Sequence, residues 1–482
     1  MVPVPGQNSS ALERETGNGK RETGRIMDAA YLFARRFVDT KYEDLPPEVV
    51  EATRKEILDL LGVALGGASL PGATHVCDLV KEWGGKEESS LIGSRRKVPA
   101  PNAAQANATM AHALDFDDVH EAAVMHPGIA VIPVVMAVGE ARGGLSGREF
   151  ITGTALGVDM MCRLALATTP GKSPIELGWH LTSLFGYMGS AATAARILGL
   201  NEEKIVDAIG IAYHQCGGNG QCVKDGALTK RLGPGFAVRG GVAAAFMAKA
   251  GVTGAKNSLE GEWGFYRQYI HGDYSREILT AELGKRFEGV NVVIKPYPCC
   301  RGVHPAIDAA LALAVDDHVR VGDIQEIVLS VTDAHLSLLC LPEDAKRSPR
   351  NPVDAQFSIP WGVATALVRR SVGLDDYTDS AIRNKEILDV TRKMRVEVDN
   401  TLHRPGPEPT RVRIRTKDGK EFARVVENPL GSLERPMSFE DCARKFRDCA
   451  KSLDASRSDE VIQKVGELER VNDIQEIIGL LT

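Results

Sequence analysis

Several things are scarce in this sequence, and each scarcity excludes something. Charge of one sign is the first: 58 Lys and Arg against 64 Asp and Glu leave a net −6. That balance is too even for a surface that binds nucleic acid or an anionic membrane in bulk. Any anion site must be a local cluster. Long apolar runs are absent as well. The longest, Ile129–Val138, contains Pro133 and spans roughly ten residues, half of the ~20 that cross a bilayer. The nine cysteines include no C-x-x-C pair, are odd in number and are scattered. They read as reduced thiols of a cytoplasmic protein and argue against an iron–sulfur cluster or a structural zinc. The nucleotide signatures G-x-x-x-x-G-K-[ST] and G-x-G-x-x-G are missing, as are H-E-x-x-H and a G-x-S-x-G elbow around Ser183. Residues 1–26 lack an apolar stretch of the signal-peptide kind, carry Glu13, Glu15 and Glu22, and repeat RETG at Arg14–Gly17 and Arg21–Gly24. They are expected to form a disordered leader, with Met27 as the effective start.

What is present is an ordinary globular composition, 43% hydrophobic and 25% charged, over 482 residues, enough for two large domains. From Met27 to Gly289 the pattern is helical. Pro46-Pro47 opens a helix in which Val49, Val50, Ile57, Leu60, Leu61 and Ala64 recur at helical spacing, and Gly66-Gly67 closes it. Further helices are expected over Ala103–Leu114, Glu149–Leu164, Ser183–Leu198, Glu202–Ala212 and Ala237–Ala250. Near Val290 the texture changes. Ile324–Val331 and Met394–Val398 read as strands, and Val412 to Val425 as a hairpin turning at Asp418-Gly419. Helices over Val303–Val315 and Phe357–Arg369 are interposed. The expected fold is mainly α: a large all-helical domain (27–289), a smaller α/β lid domain (290–430), and a helical segment (431–482) that returns to the large domain.

Four clusters could carry chemistry. The first is His112-Ala-Leu-Asp115-Phe-Asp117-Asp118-Val-His120, followed by His126-Pro127. Its carboxylates and imidazoles suit acid–base work or metal binding, although the spacing matches no defined metal motif. Continued as a helix, it would put Asp115 and Asp118 on one face and Asp117 elsewhere. The second is Gly178-Trp-His180-Leu-Thr182-Ser183, with Thr182 or Ser183 as the expected N-cap of a helix whose start suits a carboxylate. The third is Gly217-Gly218-Asn219-Gly220 with Lys230-Arg231, where a lysine is placed to meet a substrate carboxylate or an enolate. The fourth is Lys295-Pro-Tyr-Pro-Cys299-Cys300-Arg301-Gly-Val-His304, which combines cations, a titratable imidazole and stiffening prolines.

Together HALDFDD (His112–Asp118), GWHLTS (Gly178–Ser183) with its Ala/Gly-rich helix, KRLGPGFA (Lys230–Ala237), LEG–GF (Leu259–Phe265) and KPYPCCRGVH (Lys295–His304) resemble the MmgE/PrpD family from about Met27 to the end. That family includes 2-methylcitrate dehydratase, cis-aconitate decarboxylase and iminodisuccinate epimerase. The resemblance implies a helical domain with an α/β lid, a homodimer, no cofactor and no metal, and a di- or tricarboxylate substrate. It places catalytic residues at Asp115, His126, His180, Lys230 and His304. Arg231, Lys295, Arg301, Thr182 and Ser183 are the accompanying substrate-binding residues. Three positions depart from the pattern: Val119 stands where the decarboxylase subgroup has Thr, Ile359 lies in the region of its Tyr, and Gly233 replaces a frequent His. The departures favour a dehydratase of 2-methylcitrate type, in which His126 and His180 divide the acid and base roles. A decarboxylase, a dicarboxylate epimerase and a non-catalytic carboxylate-binding helical dimer are the alternatives.

Overall fold

The computed structural model describes residues 27–168, 177–404 and 408–482; the leader expected over residues 1–26 lies outside them. The helices fall close to where periodicity put them. Pro47–Gly67 starts at the second proline and stops at the second glycine. It is followed by Ala73–Trp83, Ala100–His112, Gly128–Arg142, Gly147–Leu166, Leu181–Ile197, Glu202–Tyr213 and Thr229–Ala250. The apolar run with Pro133 became the central helix, Gly128–Arg142, in which every residue from Gly128 to Glu140 is buried. Small residues let these helices close up: a methyl group on Gly67 would lie 2.1 Å from the Met110 carbonyl oxygen, so only glycine permits that crossing. No helix among the described residues is long and apolar enough to cross a membrane.

The buried side chains form two apolar cores. One runs from Ala29 to Ile294 and resumes at Met437–Leu481, and the other holds residues between Tyr297 and Ile414. The second is built on a four-stranded sheet in the order Met394–Val398, Ile324–Val331, Arg411–Thr416, Glu421–Val425. Ile324–Val331 runs parallel to Met394–Val398 and antiparallel to Arg411–Thr416, with Ile327 opposite both Met394 and Ile414. Val412 and Ile414 point inward under helices His304–Val315 and Ile359–Arg369. The alternating Arg413 and Arg415 face out and pair with Glu397 and Glu326, the period-two signature of a sheet with one wet face. The protein is thus mainly helical, with one small sheet-containing unit.

Helix Phe439–Cys449 of the C-terminal segment, capped by Ser438, packs on Pro47–Gly67. Its buried Lys445 lies 2.6 Å from Asp59, donates to the Phe116 carbonyl at 2.6 Å, and sits 3.7 Å above the Phe116 ring. The tail thereby braces the HALDFDD segment from below.

Candidate active site

Helix Ala100–His112 ends at His112, and Asp115 takes a left-handed φ of 54°. The chain therefore leaves helical geometry before the carboxylates, and the expected shared face of Asp115 and Asp118 does not form. Asp117, not Asp118, joins Asp115 at the site, while Asp118 turns away and its Oδ2 accepts from Gly128 N at 3.0 Å. That bond satisfies the first orphan donor of the central helix.

Asp117 is the hub. Its Oδ2 lies 2.9 Å from His112 Nδ1 and 3.3 Å from His126 Nδ1, and His126 Nδ1 also donates to the Asp118 carbonyl at 2.5 Å. The His112 ring centre is 5.1 Å from that of His126 and 6.0 Å from that of His180. His180 occupies the N-cap position of Leu181–Ile197 without capping it. Its Nδ1 pairs with Ser183 Oγ at 2.8 Å, and Thr182 Oγ1 accepts from His126 N at 3.0 Å. Of the two hydroxyls expected to cap the helix, Ser183 instead meets the His180 ring and Thr182 the His126 backbone N–H, because His180 rather than either of them precedes the first turn. The glycine stretch 217–220 is spent on this corner, with His180 N donating to Gly218 O and Gly220 N to Gly178 O. Gly233 is part of the same corner: a methyl group there would lie 2.4 Å from Ser183 Oγ and 3.5 Å from His180 Nδ1.

The third cluster is more helical than its glycines suggested. Thr229–Ala250 is one helix with Pro234 inside its second turn, and Lys230, near its start, forms an ion pair with Asp115. Lys295 approaches from the other side, its Nζ 2.8 Å from the Asp115 carbonyl oxygen and 3.7 Å from Oδ2.

Electrostatics follow from these neighbours. Burial alone would raise Asp115, but Lys230 and Lys295 outweigh it and hold the carboxyl below its usual range. Asp117 is likewise held low, against its burial, by His112 and His126. Burial, then Asp117, push Asp118 up to about 8. Burial pushes His126 down to about 3 despite Asp117. His180 goes the same way through burial and then the charges of His112 and Lys230. The cluster is therefore a set of neutral imidazoles around the ionised Asp117, with a second ionised carboxylate, Asp115, between two lysines.

Beside this cluster opens a cavity of about 600 Å³. His112, Asp115, Lys230 and Arg231 border it from the large helical core, and Lys346, Arg350, Asn351 and Gln356 from the other unit. Gln356 Nε2 donates to the Leu114 carbonyl at 2.8 Å across the junction. Of the residues expected from sequence, Asp115, Lys230 and Arg231 line this cavity. His126, His180, Lys295, Thr182 and Ser183 stand around Asp117 and Asp115 without bordering it. Arg301 and His304 are engaged elsewhere. Arg301 Nε donates to Glu121 at 2.7 Å, its NH1 donates to His304 Nδ1 at 3.0 Å, and His304 Nε2 lies 3.2 Å from the Cys299 carbonyl oxygen. Both ring nitrogens of His304 are thus occupied. Burial raises both vicinal thiols, Cys299 and Cys300, which makes them poor nucleophiles.

His112 and Asp117 stand in the first cluster but not among the site residues expected from sequence, and Lys346 and Arg350 stand in neither; the cations of Lys346–Arg350 carried no local signal, since only the tertiary fold faces them toward Lys230. Among the described residues one set, His112, Asp115 and Asp117, brings possible metal-ligand atoms within 4.8 Å of one another. Two ammonium groups already stand on Asp115 and two imidazoles on Asp117, so a divalent ion would have to displace Lys230 and meet the charge of Lys295.

Known proteins of one family match this chain. The MmgE/PrpD N-terminal domain matches residues 32–277 and the MmgE/PrpD C-terminal domain residues 297–468. A cis-aconitate decarboxylase of Aspergillus terreus is 28% identical over 460 residues, covering 91% of this chain and 93% of its own. Its namesake in Homo sapiens is 26% identical over 466 residues, covering 93% of each. A 2-methylcitrate dehydratase of Salmonella typhi is 23% identical over 436 residues, covering 84% and 87%. With both domain models matched in order along nearly the whole described chain, the protein belongs to the MmgE/PrpD family.

Proposed function

We propose that this protein is a cofactor-independent lyase acting on an unsaturated tricarboxylate of cis-aconitate type, by decarboxylation. The observation that carries the reading is the cavity, where Lys230 and Arg231 on one side and Lys346 and Arg350 on the other, the last paired with Asp354, line the space beside His112. A tricarboxylate matches that distribution: its carboxylates meet these cations, and its reacting carbons lie against His112. The higher identity and broader coverage of the decarboxylase relatives favour this reaction over dehydration.

In the reaction the bond between a methylene carbon and its carboxylate breaks. Carbon dioxide leaves, the freed electron pair becomes a new double bond, and the pair of the old one takes up a proton at the neighbouring carbon. Lys230, released from Asp115 to a substrate carboxylate, steadies the negative charge that develops. His126, His180 and Asp115 form the acid–base cluster, and Lys295 keeps Asp115 in place. Ser183 holds the His180 ring, and Thr182 anchors the His126 backbone N–H. Arg301 and His304 tie the sheet-containing unit to Glu121. Because the cavity is walled by both units, that unit serves as a lid whose closure excludes water. A homodimer in the cytoplasm completes the reading; the nine unpaired cysteines fit a reducing compartment.

A second reading, dehydration of a 2-methylcitrate-like hydroxy acid, is favoured by Val119 and Ile359, both buried apolar residues where the decarboxylase pattern has hydroxyl-bearing ones. Proton NMR of EDTA-treated protein with cis-aconitate, citrate and 2-methylcitrate in deuterated buffer separates the two. Itaconate growing from cis-aconitate supports the decarboxylase. Alkene signals growing from a hydroxy acid would replace it by the dehydratase, and exchange without net change by an epimerase.

A further inference from the structure

We infer that His112, oriented by Asp117, is a further proton-transfer residue of this site, exchanging a proton with substrate carbon through Nε2. The inference rests on the lyase reading and adds a group to it.

Among the histidines of the cluster, His112 is the one whose ring helps to wall the cavity. Its side chain is fully buried and its Nδ1 is held by Asp117 at 2.9 Å, yet Nε2 has no hydrogen-bond partner. A buried polar atom left unpaired costs about 1–3 kcal/mol. Such an atom is tolerated where a ligand supplies the partner. His180 offers no match: its Nδ1 is taken by Ser183 and its ring stands off the cavity. His304 has neither nitrogen free.

The carboxylate fixes the tautomer. Asp117 is ionised and can only accept, so His112 must donate from Nδ1, leaving the lone pair on Nε2. The groups around the ring are Asp117 and Asp115 on its own segment, His126, His180 from the helix start opposite, and Lys230. In the free protein, burial and then Lys230 keep the ring neutral, with Asp117 opposing. A substrate carboxylate that takes up the Lys230 ammonium removes its repulsion and brings further negative charge beside the ring. Nε2 then binds a proton. In decarboxylation that proton passes to the carbon of the former double bond: the N–H bond breaks, its pair returns to Nε2, the C–H bond forms, and carbon dioxide departs. The proton is replaced from solvent when product leaves. In the dehydratase reading the same lone pair takes the proton alpha to a carboxylate.

The test uses the full chain. His112→Gln keeps a side chain of similar reach that cannot titrate, so turnover of cis-aconitate should fall by ~10²–10⁴ with little change in melting temperature. Turnover within tenfold of the parent would overturn the proposal. Asp117→Asn tests the positioning role. It should flip His112 to the Nε2–H tautomer, visible in ¹⁵N-histidine NMR, and lower turnover at least a hundredfold, by the logic of orienting carboxylates in imidazole dyads. An unchanged tautomer would overturn that role, and this readout holds even if His112→Gln fails to fold. If the parent turns over none of the acids, the lyase reading fails by itself, and the NMR arm decides the site. A His112 Nε2 resonance moved by tricarballylate, an inert analogue, supports a ligand-facing nitrogen; one that stays put overturns it.

Discussion

Asp118 and Gly233 show how single residues are shaped by neighbours far along the chain. Asp118 is buried beside Asp117, and its carboxyl is pushed up to about 8, whereas an unfolded Asp titrates near ~3.9. The folded protein therefore binds a proton there that the unfolded chain releases across that interval. The linkage sign makes this contribution greatest below the unfolded value and lost as pH rises toward about 8. Asp118→Asn keeps an oxygen for Gly128 N, so it is expected to preserve the helix cap and to flatten the fall of melting temperature between about pH 5 and 8. Thermal melts across that range check it. At Gly233 the ordinary expectation is reversed. Alanine replacing glycine inside an exposed helix gains about 1 kcal/mol, but here the new methyl group meets Ser183 Oγ at 2.4 Å. Gly233→Ala should lower both melting temperature and turnover, and adding Ser183→Ala should recover most of the stability but not the turnover. Equal effects in both variants would mean that the His180–Ser183 corner is not what the glycine protects.

Among the elements, helix Phe439–Cys449 has the longest reach. It fills the groove beside Gly62 with Phe446, 3.1 Å from where a methyl group on that glycine would stand, and delivers Lys445 to Asp59 and the Phe116 carbonyl. Burial pushes Asp59 up to about 6, with Lys445 pulling it back. Removing one partner of such a pair leaves a buried charge and costs ~3–5 kcal/mol. Lys445→Met is expected to destabilise by that order in urea unfolding, and Asp59→Asn in the same chain to return part of it. Activity should fall with Lys445→Met even where the protein stays folded, because the Phe116 carbonyl that it anchors lies between Asp115 and Asp117. A helical segment over 431–482 was legible in sequence. The role of Lys445 was not, because its partners are hundreds of residues away and nothing local marks a lysine as buried.

At the scale of the molecule, the cavity is a joint product of two units with separate cores. Lys346, held at 2.6 Å by the Phe357 carbonyl and lowered from its usual value by burial, faces the large core across it. Losing one carboxylate partner there while the acid–base cluster stays whole should weaken binding more than chemistry. Lys346→Met is expected to raise KM for the active substrate by about 10–100-fold, the order of a charge-assisted hydrogen bond of 1.5–3 kcal/mol, with kcat changed far less. Steady-state kinetics decide it. A collapse of kcat at unchanged KM would move Lys346 from binding to chemistry.

Local rules were enough for the elements. The prolines that open Pro47–Gly67, the Ile/Val-rich run Ile324–Val331 and the Asp418-Gly419 turn act within a few residues, so periodicity and turn chemistry place them. The quoted motifs were enough for the family, because five of them stand in order along one chain. Which of the motif's groups meet was decided only in three dimensions. The helix stops at His112 and the left-handed Asp115 swings the chain round. Asp117 thereby takes the place expected of Asp118 at the site, and His112 comes to share the Asp117 carboxylate with His126. Lys230, Lys346 and Arg350 come together because separate cores dock. Packing sets such distances, and sequence spacing does not encode them.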